Sequence, residues 1–592
     1  MKIWDIEIKE AIEKKKEAYL KWLQSSTEEN REIYVTKRNA VTYLIRNKKK
    51  ENWDKFITNI ENDLHGRQTV AYKLMKHLKQ KEKDTANIKT INNSQWLQYY
   101  KTLWTSMNGN EDEMRNREQE ERHTEVDNLE IEEVIEALRT SKNRKATGKD
   151  GINTELYKYA SREMFERILD FMNRCWKNKK TPEEWKTAVI LPIFKKGQRN
   201  NCDNYRGISL LNTGYKIYSR LLTKRLKEII EVILSEEQSG FRNGRSCIDN
   251  IFSLQQIIEK HREYNRETYM IFIDYEKAFD RVNREKLWSI MRRRGIPEHL
   301  VQVIKKLYDK TQICISGDED ILETVDAGLR QGCSLSPILF NLYLDDAIRE
   351  WKDTIKFYTY NFNSREYIVT LLFADDQVLI ASSENELQLA THKLNQVNSK
   401  YNMKISINKT KVLAFRGKEP IRCKIAIENK PVEQVSSFKF LGCHMGLHNE
   451  DDIKTKTEKF NYINGTIRRT LKNKTRKETM IKFYKVMSVP AITYGSETWI
   501  INKSDKRKIQ SAEMRFLRSV AGYRLTDRKR NCEIREELKV TELNETIKNY
   551  RVQWKDHLDR MNNKRIPKIA YRYRPNGKRG LGRPKSRWKD QE

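Results

Sequence analysis

An apolar run interrupted by two adjacent aspartates limits most strongly what this chain can fold into. The run is Leu371-Leu-Phe-Ala-Asp-Asp-Gln-Val-Leu-Ile-Ala381. A bare carboxylate is costly to bury unless a positive charge lies against it. The run therefore predicts a β-hairpin whose tight turn carries Asp375 and Asp376 out of the core towards a bound cation. Taken alone, the dipeptide favours an ordinary Ala-Asp-Asp surface turn.

A second apolar run also ends in a carboxylate, which makes the surface-turn interpretation weaker. It reads Tyr269-Met-Ile-Phe-Ile-Asp274, and 101 residues separate Asp274 from Asp375. Phosphodiester synthesis with two metal ions requires hard oxygen ligands brought together from separate strands. If the two strands are neighbours in a sheet, Asp274, Asp375 and Asp376 supply that arrangement.

Short β-type runs alternate with helical patterns from about residue 185 onwards. The predicted strands are Ala188–Phe194, Tyr269–Ile273, Tyr367–Phe373 and Val378–Ala381, and the predicted helices between them include Tyr215–Ile233 and Cys247–Arg262. Such interleaving indicates an α/β or α+β domain.

Helical patterns dominate both ends of the chain. Apolar residues recur at helical spacing near the start, as in Ile8, Ile12, Tyr19 and Leu23. Beyond residue 445 strand signals fade and Lys-rich helical patterns follow. The last stretch, 561–592, holds 11 basic and 2 acidic residues. Its composition predicts a flexible basic arm.

The charge balance indicates a polyanionic partner. Lys and Arg number 116 against 83 Asp and Glu, a net charge of +33. Nucleic acid is the commonest polyanion, and an anionic membrane surface is the alternative. The eight cysteines show no zinc-binding spacing, and the chain has neither a signal peptide core nor a long apolar run. These features argue against a secreted or membrane-spanning protein and favour reduced thiols inside the cell.

Seven motifs between residues 191 and 442 resemble, in the expected order, those of non-LTR (LINE-type) retrotransposon reverse transcriptases. They are Leu191–Gly197 with Asn204–Leu210, Gln238–Ser246, Phe272–Val282, Gly328–Pro337, Phe373–Asp376, Asn408–Lys411 and Phe438–Gly442.

The resemblance implies an α+β right-hand polymerase fold, with fingers, a palm with an antiparallel sheet, and a helical thumb. The implied segments are a helical N-terminal extension (1–125), a helical extension leading into the fingers (126–184), fingers and palm (185–445), thumb (446–530) and a basic C-terminal region (531–592).

The same resemblance assigns roles to individual residues. Asp274, Asp375 and Asp376 would be catalytic and would bind two Mg²⁺ ions, with Mn²⁺ as a possible substitute. The backbone carbonyl of Tyr275 would be a further ligand. The implied dNTP contacts are Lys195 and Arg206 on the triphosphate, Phe279 against the sugar 2′ position, Gln331 and Gly332 on the nucleotide, and Lys409 near the departing pyrophosphate. Phe440, Leu441 and Gly442 would form the primer grip.

The implied activity is RNA-directed DNA polymerisation, with an RNA template, a DNA primer or target and dNTPs as partners. No membrane partner is expected, and the oligomeric state stays open. The expected location is the nucleus or the cytoplasm, as a ribonucleoprotein. Two alternatives remain: a catalytically idle or host-retained nucleic-acid-binding protein, and a group II intron-type or telomerase-like enzyme. No endonuclease or zinc-knuckle pattern is visible, so DNA cleavage is not expected.

Overall fold

The structure is a computed structural model that describes residues 6–62, 91–105, 127–355, 370–446, 450–472, 475–577, 579 and 586–591. These residues belong to two compact units. One comprises Met1–Asn87, Ile453–Glu497 and Ile501–Tyr550, and the other Ile88–Asp452, Thr498–Ile500 and Arg551–Glu592. The described helical N-terminal residues therefore contribute to both units.

The helices lie along the whole described chain. In order, they are α1 (Ile6–Gln24), α2 (Glu28–Asn62), α3 (Asn93–Leu103), α4 (Ile131–Arg139), α5 (Thr154–Lys158), α6 (Arg162–Asn178), α7 (Thr213–Ile233), α8 (Cys247–Glu263), α9 (Arg284–Arg293), α10 (Glu298–Tyr308), α11 (Ser336–Thr354), α12 (Glu384–Lys400), α13 (Glu450–Leu471), α14 (Lys477–Phe483), α15 (Val489–Thr493), α16 (Lys503–Ala521), α17 (Asn531–Glu537), α18 (Leu543–Arg560) and α19 (Ile566–Arg572). None of the described helices is long and apolar enough to cross a membrane.

The strands all belong to the second unit. They are β1 (Thr187–Phe194), β2 (Tyr205–Leu210), β3 (Glu267–Ile273), β4 (Thr311–Ile315), β5 (Asp318–Val325), β6 (Thr370–Phe373), β7 (Asp376–Ala381), β8 (Lys411–Arg416), β9 (Glu419–Pro420), β10 (Ala426–Ile427), β11 (Lys430–Pro431), β12 (Glu433–Gln434), β13 (Ser437–Phe440) and β14 (Cys443–Gly446). The α+β class is confirmed. The predicted strands near residues 188, 269 and 378 are also confirmed, whereas the first part of the one predicted from Tyr367 lies outside the described residues.

The central sheet has the strand order β12-β8-β3-β7-β6, with β9 beside β8. Strand β3 pairs antiparallel with both β7 and β8. Its side chains alternate between two apolar clusters, with Ile271 and Ile273 in one and Met270 and Phe272 in the other. Because both faces of β3 are buried, its apolar run is continuous and ends where the chain leaves the core.

A second sheet has the order β2-β1-β4-β5. Strand β1 pairs antiparallel with β2 and parallel with β4. The sequence analysis did not predict β4 and β5. Strand β5 reads Asp-Glu-Asp-Ile-Leu-Glu-Thr-Val, whose acidic residues lack the alternation that marks a half-buried strand.

The described part of the C-terminal region is packed rather than extended into solvent. Trp588 is 1% exposed and lies against Phe252 of α8 and Trp554. The Lys260 ammonium of α8 donates to the carbonyl of Ala570 at 2.6 Å. The interpretation of residues 561–592 as a flexible arm is therefore wrong for residues 561–577 and 586–591, because aromatic residues set among the basic ones supply apolar anchors.

The first unit is helical throughout its described residues. Helices α1 and α2 pack against each other. Further along the chain, a buried ion pair joins Arg535 to Glu513 at 2.6 Å, and Glu513 also accepts a hydrogen bond from Tyr484.

Candidate active site

The aspartate pair lies at the hairpin between β6 and β7. Phe373 pairs with Asp376, so Ala374 and Asp375 are the two turn residues. Ala374 has a φ of 56°, in the left-handed region that L-residues seldom adopt. The predicted hairpin is thus present, with Asp375 in its turn and Asp376 at the first position of β7.

Strand register brings the third aspartate to the same end of the sheet. Ile273 of β3 pairs with Gln377 of β7, so Asp274 follows directly opposite Asp376. Residues opposite each other on antiparallel strands have Cβ atoms roughly 5 Å apart. The backbone of Asp274 is held on its other side by Ser406, whose N–H donates to the Asp274 carbonyl at 2.7 Å.

The three carboxylates disfavour one another's charge. The pKa of Asp375 is raised by desolvation and then by the negative charge of Asp274. The pKa of Asp376 is raised to about 6, first by desolvation from the neighbouring strands and then by Asp375 and Asp274. The Asp376 side chain still keeps access to solvent. A cation placed among these groups would relieve both effects.

Three basic side chains face this acidic end. Lys195, just after β1, has its pKa lowered by desolvation and by the positive charges of Arg206 and Lys409. Asp375 and Asp274 act on Lys195 in the opposite direction. The Lys409 ammonium lies 3.0 Å from a carboxylate oxygen of Asp274. The cations and carboxylates therefore surround a common volume.

The carboxylate oxygens of Asp274, Asp375 and Asp376 suit a divalent cation by their chemistry, although they are not arranged as a ligand group here. Within the described ranges, no three His, Cys, Asp or Glu side chains form a preformed metal-binding cluster. The Asp274 carboxylate is instead paired with Lys409. Hard oxygen donors from adjacent strands, two of them with raised pKa values, are nevertheless the groups that Mg²⁺ or Mn²⁺ prefers.

Tyr275, the residue after Asp274, is held from both sides. It is 4% exposed and forms a β-bridge with Ile405. Its hydroxyl donates to the side-chain carbonyl of Gln377 at 2.7 Å. The backbone that follows Asp274 is therefore fixed by both its main chain and its side chain.

The aromatic ring of Phe279 is supported from below. It stacks on Phe340 of α11 with centroids 4.3 Å apart and planes 20° apart. Phe279 is half-buried, whereas Phe340 is fully buried. One side of the Phe279 ring therefore packs against the buried Phe340 ring, while part of the Phe279 side chain stays accessible.

Gln331 is held by a buried carboxylate that the sequence analysis did not single out. Its side-chain amide donates to both oxygens of Asp280 at 3.0 Å. The indole of Trp104, just beyond α3, donates to the same carboxylate at 3.0 Å. Burial raises the pKa of Asp280 to about 6. Next to Gln331, Gly332 has a φ of 132°, and a Cβ there would lie 2.7 Å from the carbonyl oxygen of Ser209.

The predicted primer-grip residues form the tight turn between β13 and β14. Phe440 pairs with Cys443, which leaves Leu441 and Gly442 as the turn residues, with φ values of 47° and 89°. Phe440 packs against Phe272, two residues before Asp274. A two-residue hairpin with both central φ values positive is a type I′ turn, in which Leu441 is an unusual residue.

Sequence reasoning missed the supporting residues Trp104, Asp280 and Phe340. Asp280 lies within the Phe272–Val282 motif, but only two apolar residues, Ala278 and Phe279, separate it from Lys277, so its burial was not evident from the sequence. Trp104 and Phe340 carry no local signal, because an aromatic residue at helical spacing is most often ordinary core.

Comparison with known proteins agrees with this geometry. Residues 193–445 match the reverse transcriptase (RNA-dependent DNA polymerase) family. The probable RNA-directed DNA polymerase from transposon X-element of Drosophila melanogaster is 24% identical over 465 residues, covering 75% of this chain and 49% of the relative. The corresponding protein from transposon BS of the same fly is 26% identical over 413 residues, covering 66% and 44%.

A further relative is an uncharacterized 149 kDa protein of transposon TX1 from Xenopus laevis, 25% identical over 265 residues. That match covers 44% of this chain and 20% of the relative, so the chain spans at most about half the length of these three proteins. The family match begins just before Lys195 and ends at β14, and it includes every predicted site residue. Residues 193–445 therefore form a reverse transcriptase domain, and the chain around it is similar to the RNA-directed DNA polymerases of non-LTR retrotransposons.

Proposed function

We propose that the chain is an RNA-directed DNA polymerase that copies RNA into DNA from a DNA 3′ end. The observation that carries the proposal is the meeting of Asp274, Asp375 and Asp376 at one end of the central sheet, faced by Lys195, Arg206 and Lys409. Carboxylates for cations and basic groups for phosphates are the two needs of nucleotidyl transfer.

Two Mg²⁺ ions, when bound, would activate the primer 3′-hydroxyl and stabilise the charge on the triphosphate. In this chain Asp274, Asp375 and Asp376 would hold the ions, with the backbone carbonyl of Tyr275 as a further ligand. Lys409 would leave Asp274 as the ions bind and would then lie near the departing pyrophosphate. Mn²⁺, with the same preference for oxygen ligands, is an expected substitute.

The nucleotide would be held by groups on both sheets. Lys195 and Arg206 would bind the triphosphate as a point charge and a bidentate fork. The Phe279 ring, backed by Phe340, would exclude a 2′-hydroxyl because it offers neither room nor a hydrogen bond. Gln331 and Gly332 would contact the nucleotide, and Gly332 allows the close approach to Ser209 that a side chain would prevent.

In this proposal the central sheet is the palm, the β2-β1-β4-β5 sheet belongs to the fingers, and helices α13–α16, within residues 446–530, form the thumb. The Phe440–Gly442 turn would contact the primer strand. The net charge of +33 supports a nucleic-acid partner, since each bound phosphate neutralises part of it.

The alternative, a nucleic-acid-binding protein without polymerase activity, is not favoured. Loss of a catalytic aspartate would support it, and all three are present. The raised pKa values of Asp375 and Asp376 also support a working site, because a chain without bound cations gains nothing from crowding carboxylates together.

Primer extension tests the proposal directly. The purified chain is given an RNA template, an annealed DNA primer, dNTPs and Mg²⁺, beside an Asp375→Asn variant. We expect extension by the wild type and none by the variant, while both bind RNA equally in a filter-binding assay. Tight RNA binding by a wild type that extends no primer would reject the proposal in favour of the binding protein.

A further inference from the structure

The turn that carries Asp375 is not supported by the β6–β7 pairing alone. Ala374, the residue before Asp375, has its backbone in the left-handed region. A non-glycine residue stays in that region only when its surroundings hold it there. The contacts of Ala374 therefore decide where the Asp375 carboxylate lies.

A single buried amide binds both backbone groups of Ala374. The side-chain oxygen of Gln238 accepts a hydrogen bond from the Ala374 N–H at 2.9 Å, and the side-chain nitrogen donates to the Ala374 carbonyl at 3.3 Å. The same oxygen accepts from the Gly240 N–H at 2.8 Å. Gln238 is 2% exposed, so water does not compete for these bonds.

The segment that carries Gln238 runs beside β6 as an added strand. Gln238 forms a parallel bridge with Leu372. The Ser239 N–H donates to the Leu372 carbonyl, and the Leu372 N–H donates to the Glu237 carbonyl, both at 2.9 Å. A Cβ on Gly240 would lie 2.4 Å from the Ala374 nitrogen, so the segment approaches the turn as closely as glycine allows.

Two buried asparagines fix this segment from helices. Asn250 of α8 donates to the Leu372 carbonyl at 2.8 Å and accepts from the Ser239 hydroxyl at 2.9 Å. Asn341 of α11 donates to the Gly240 carbonyl at 2.7 Å. These asparagines are 3% and 0% exposed. The Gln238 amide is thus anchored to elements that do not depend on the turn itself.

We infer that Gln238 is a positioning residue that sets the Ala374 backbone and thereby aims the Asp375 carboxylate at the cation site. The inference rests on the proposed polymerase function. Gln238 acts through the backbone and touches neither substrate nor cation. Only a side chain with an acceptor and a donor four bonds from the Cα can bind both groups of Ala374, a requirement that Glu meets in part and Met does not meet.

The test compares Gln238→Met and Gln238→Glu with Gln256→Met in the full chain. Gln256 is a matched control, because it is 3% exposed and its amide donates to Glu259 on α8, away from the turn. The measurements are kcat and dNTP KM in primer extension, Mn²⁺ affinity by electron paramagnetic resonance, and hydrogen exchange of peptides covering 370–377 in metal-free protein.

For Gln238→Met we expect kcat to fall about 30-fold with dNTP KM within about twofold of wild type. Mn²⁺ affinity should fall about tenfold, as on loss of a group that orients a metal ligand. Exchange in 370–377 should become faster. Gln238→Glu keeps the two hydrogen bonds that the side-chain oxygen accepts. Its exchange rate in 370–377 should therefore lie between those of Gln238→Met and wild type. Gln256→Met should match wild type in all three measurements.

The inference is overturned if Gln238→Met leaves both the exchange rate and the Mn²⁺ affinity at wild-type values. It is also overturned if Gln256→Met speeds the exchange and lowers the Mn²⁺ affinity to the same extent, since that would indicate a general effect of losing a buried amide. The exchange and Mn²⁺ measurements do not require polymerase activity. A wild type that binds Mn²⁺ but extends no primer would therefore reject the proposed function separately.

Discussion

The acidic end of the central sheet and the pocket that we propose for the nucleotide are built in different ways. The acidic end, formed by Asp274, Asp375 and Asp376, is positioned by main-chain contacts, namely strand register and the turn. The nucleotide pocket, formed by Phe279, Gln331 and Gly332, depends largely on side chains from distant elements. Phe340 backs Phe279, and Trp104 and Asp280 hold Gln331.

This difference predicts where substitutions act. Where the backbone sets a carboxylate, the residue that matters most is the carboxylate itself, because other side chains affect its position only when they hold the main chain, as Gln238 does at Ala374. Where side chains hold side chains, a substitution far along the chain can degrade the pocket. Each of the following experiments changes a residue that belongs to or supports one of the two regions, and two of them use a matched control residue outside both.

The largest effect is expected for Asp274→Asn. The substitution should lower the single-turnover rate of primer extension by about a thousandfold or more, equivalent to roughly 4 kcal/mol of transition-state stabilisation. The melting temperature should stay equal or rise, because one of three repelling carboxylates becomes neutral.

Asp203→Asn is the control for Asp274→Asn. Asp203 is also a carboxylate bound to a lysine, since it pairs with Lys277 and accepts from the Tyr99 hydroxyl. It lies outside the acidic end, so its variant should lose less than about fivefold. Equal losses in the two variants would show that a general electrostatic effect, rather than cation binding, explains the result.

The next largest effect is expected for Phe279→Ala. Removal of the ring opens space at the sugar 2′ position, and discrimination between dNTP and rNTP should fall on the order of 100-fold. The measurement is the ratio of kcat/KM for the two nucleotides, with activity on dNTP largely retained.

Phe340→Leu tests how far the support of the Phe279 ring, rather than the ring itself, contributes to sugar selection. Because Phe340 only backs the ring, its variant should lower discrimination by about tenfold without admitting rNTP as readily as Phe279→Ala does. Unchanged selectivity in both variants would remove Phe279 from the sugar-selecting role.

A smaller effect is expected for Trp104→Phe, which removes the indole donor to Asp280 and keeps an aromatic ring beside Tyr100. Loss of a buried hydrogen bond to a charged group should raise dNTP KM about tenfold, with kcat nearly unchanged. Trp96→Phe is the matched control, since Trp96 has similar burial and also stacks on Tyr100. A KM change of the same size in Trp96→Phe would assign the effect to packing.

The two regions also differ in how far the sequence predicts them. Asp274, Asp375 and Asp376 were predictable because carboxylates that end or interrupt apolar strands have few structural explanations. Trp104 was not predictable, since it lies 176 residues from Asp280 and a single aromatic residue carries no pairing information. Strands β4 and β5 were missed because tertiary pairing, of β4 with β1 and of β5 with β4, contributes more to their formation than a clear residue pattern does.

The smallest effect is a pH dependence at Asp280. Its pKa in the folded protein is about 6, raised by burial, so the carboxylate protonates as the pH falls below about 6. When the carboxyl is protonated, one of its oxygens carries a hydrogen and can no longer accept freely from Gln331 and Trp104. We therefore expect dNTP KM to rise about fivefold between pH 7.5 and 5.5, separately from any change in kcat that Asp376 causes.

Protonation of Asp280, which should weaken dNTP binding, should stabilise the folded protein. The folded protein binds this proton more tightly than the unfolded chain, in which an aspartate has a pKa near 4. The contribution of Asp280 to stability therefore increases as the pH falls from about 6 towards 4. Asp280→Asn resembles the protonated form, and should melt no lower than wild type at pH 7.5 while showing a raised dNTP KM that no longer changes with pH. A variant that melts lower and binds dNTP normally would mean that Asp280 supports the fold and not the pocket, and the contrast between the two regions would then fail.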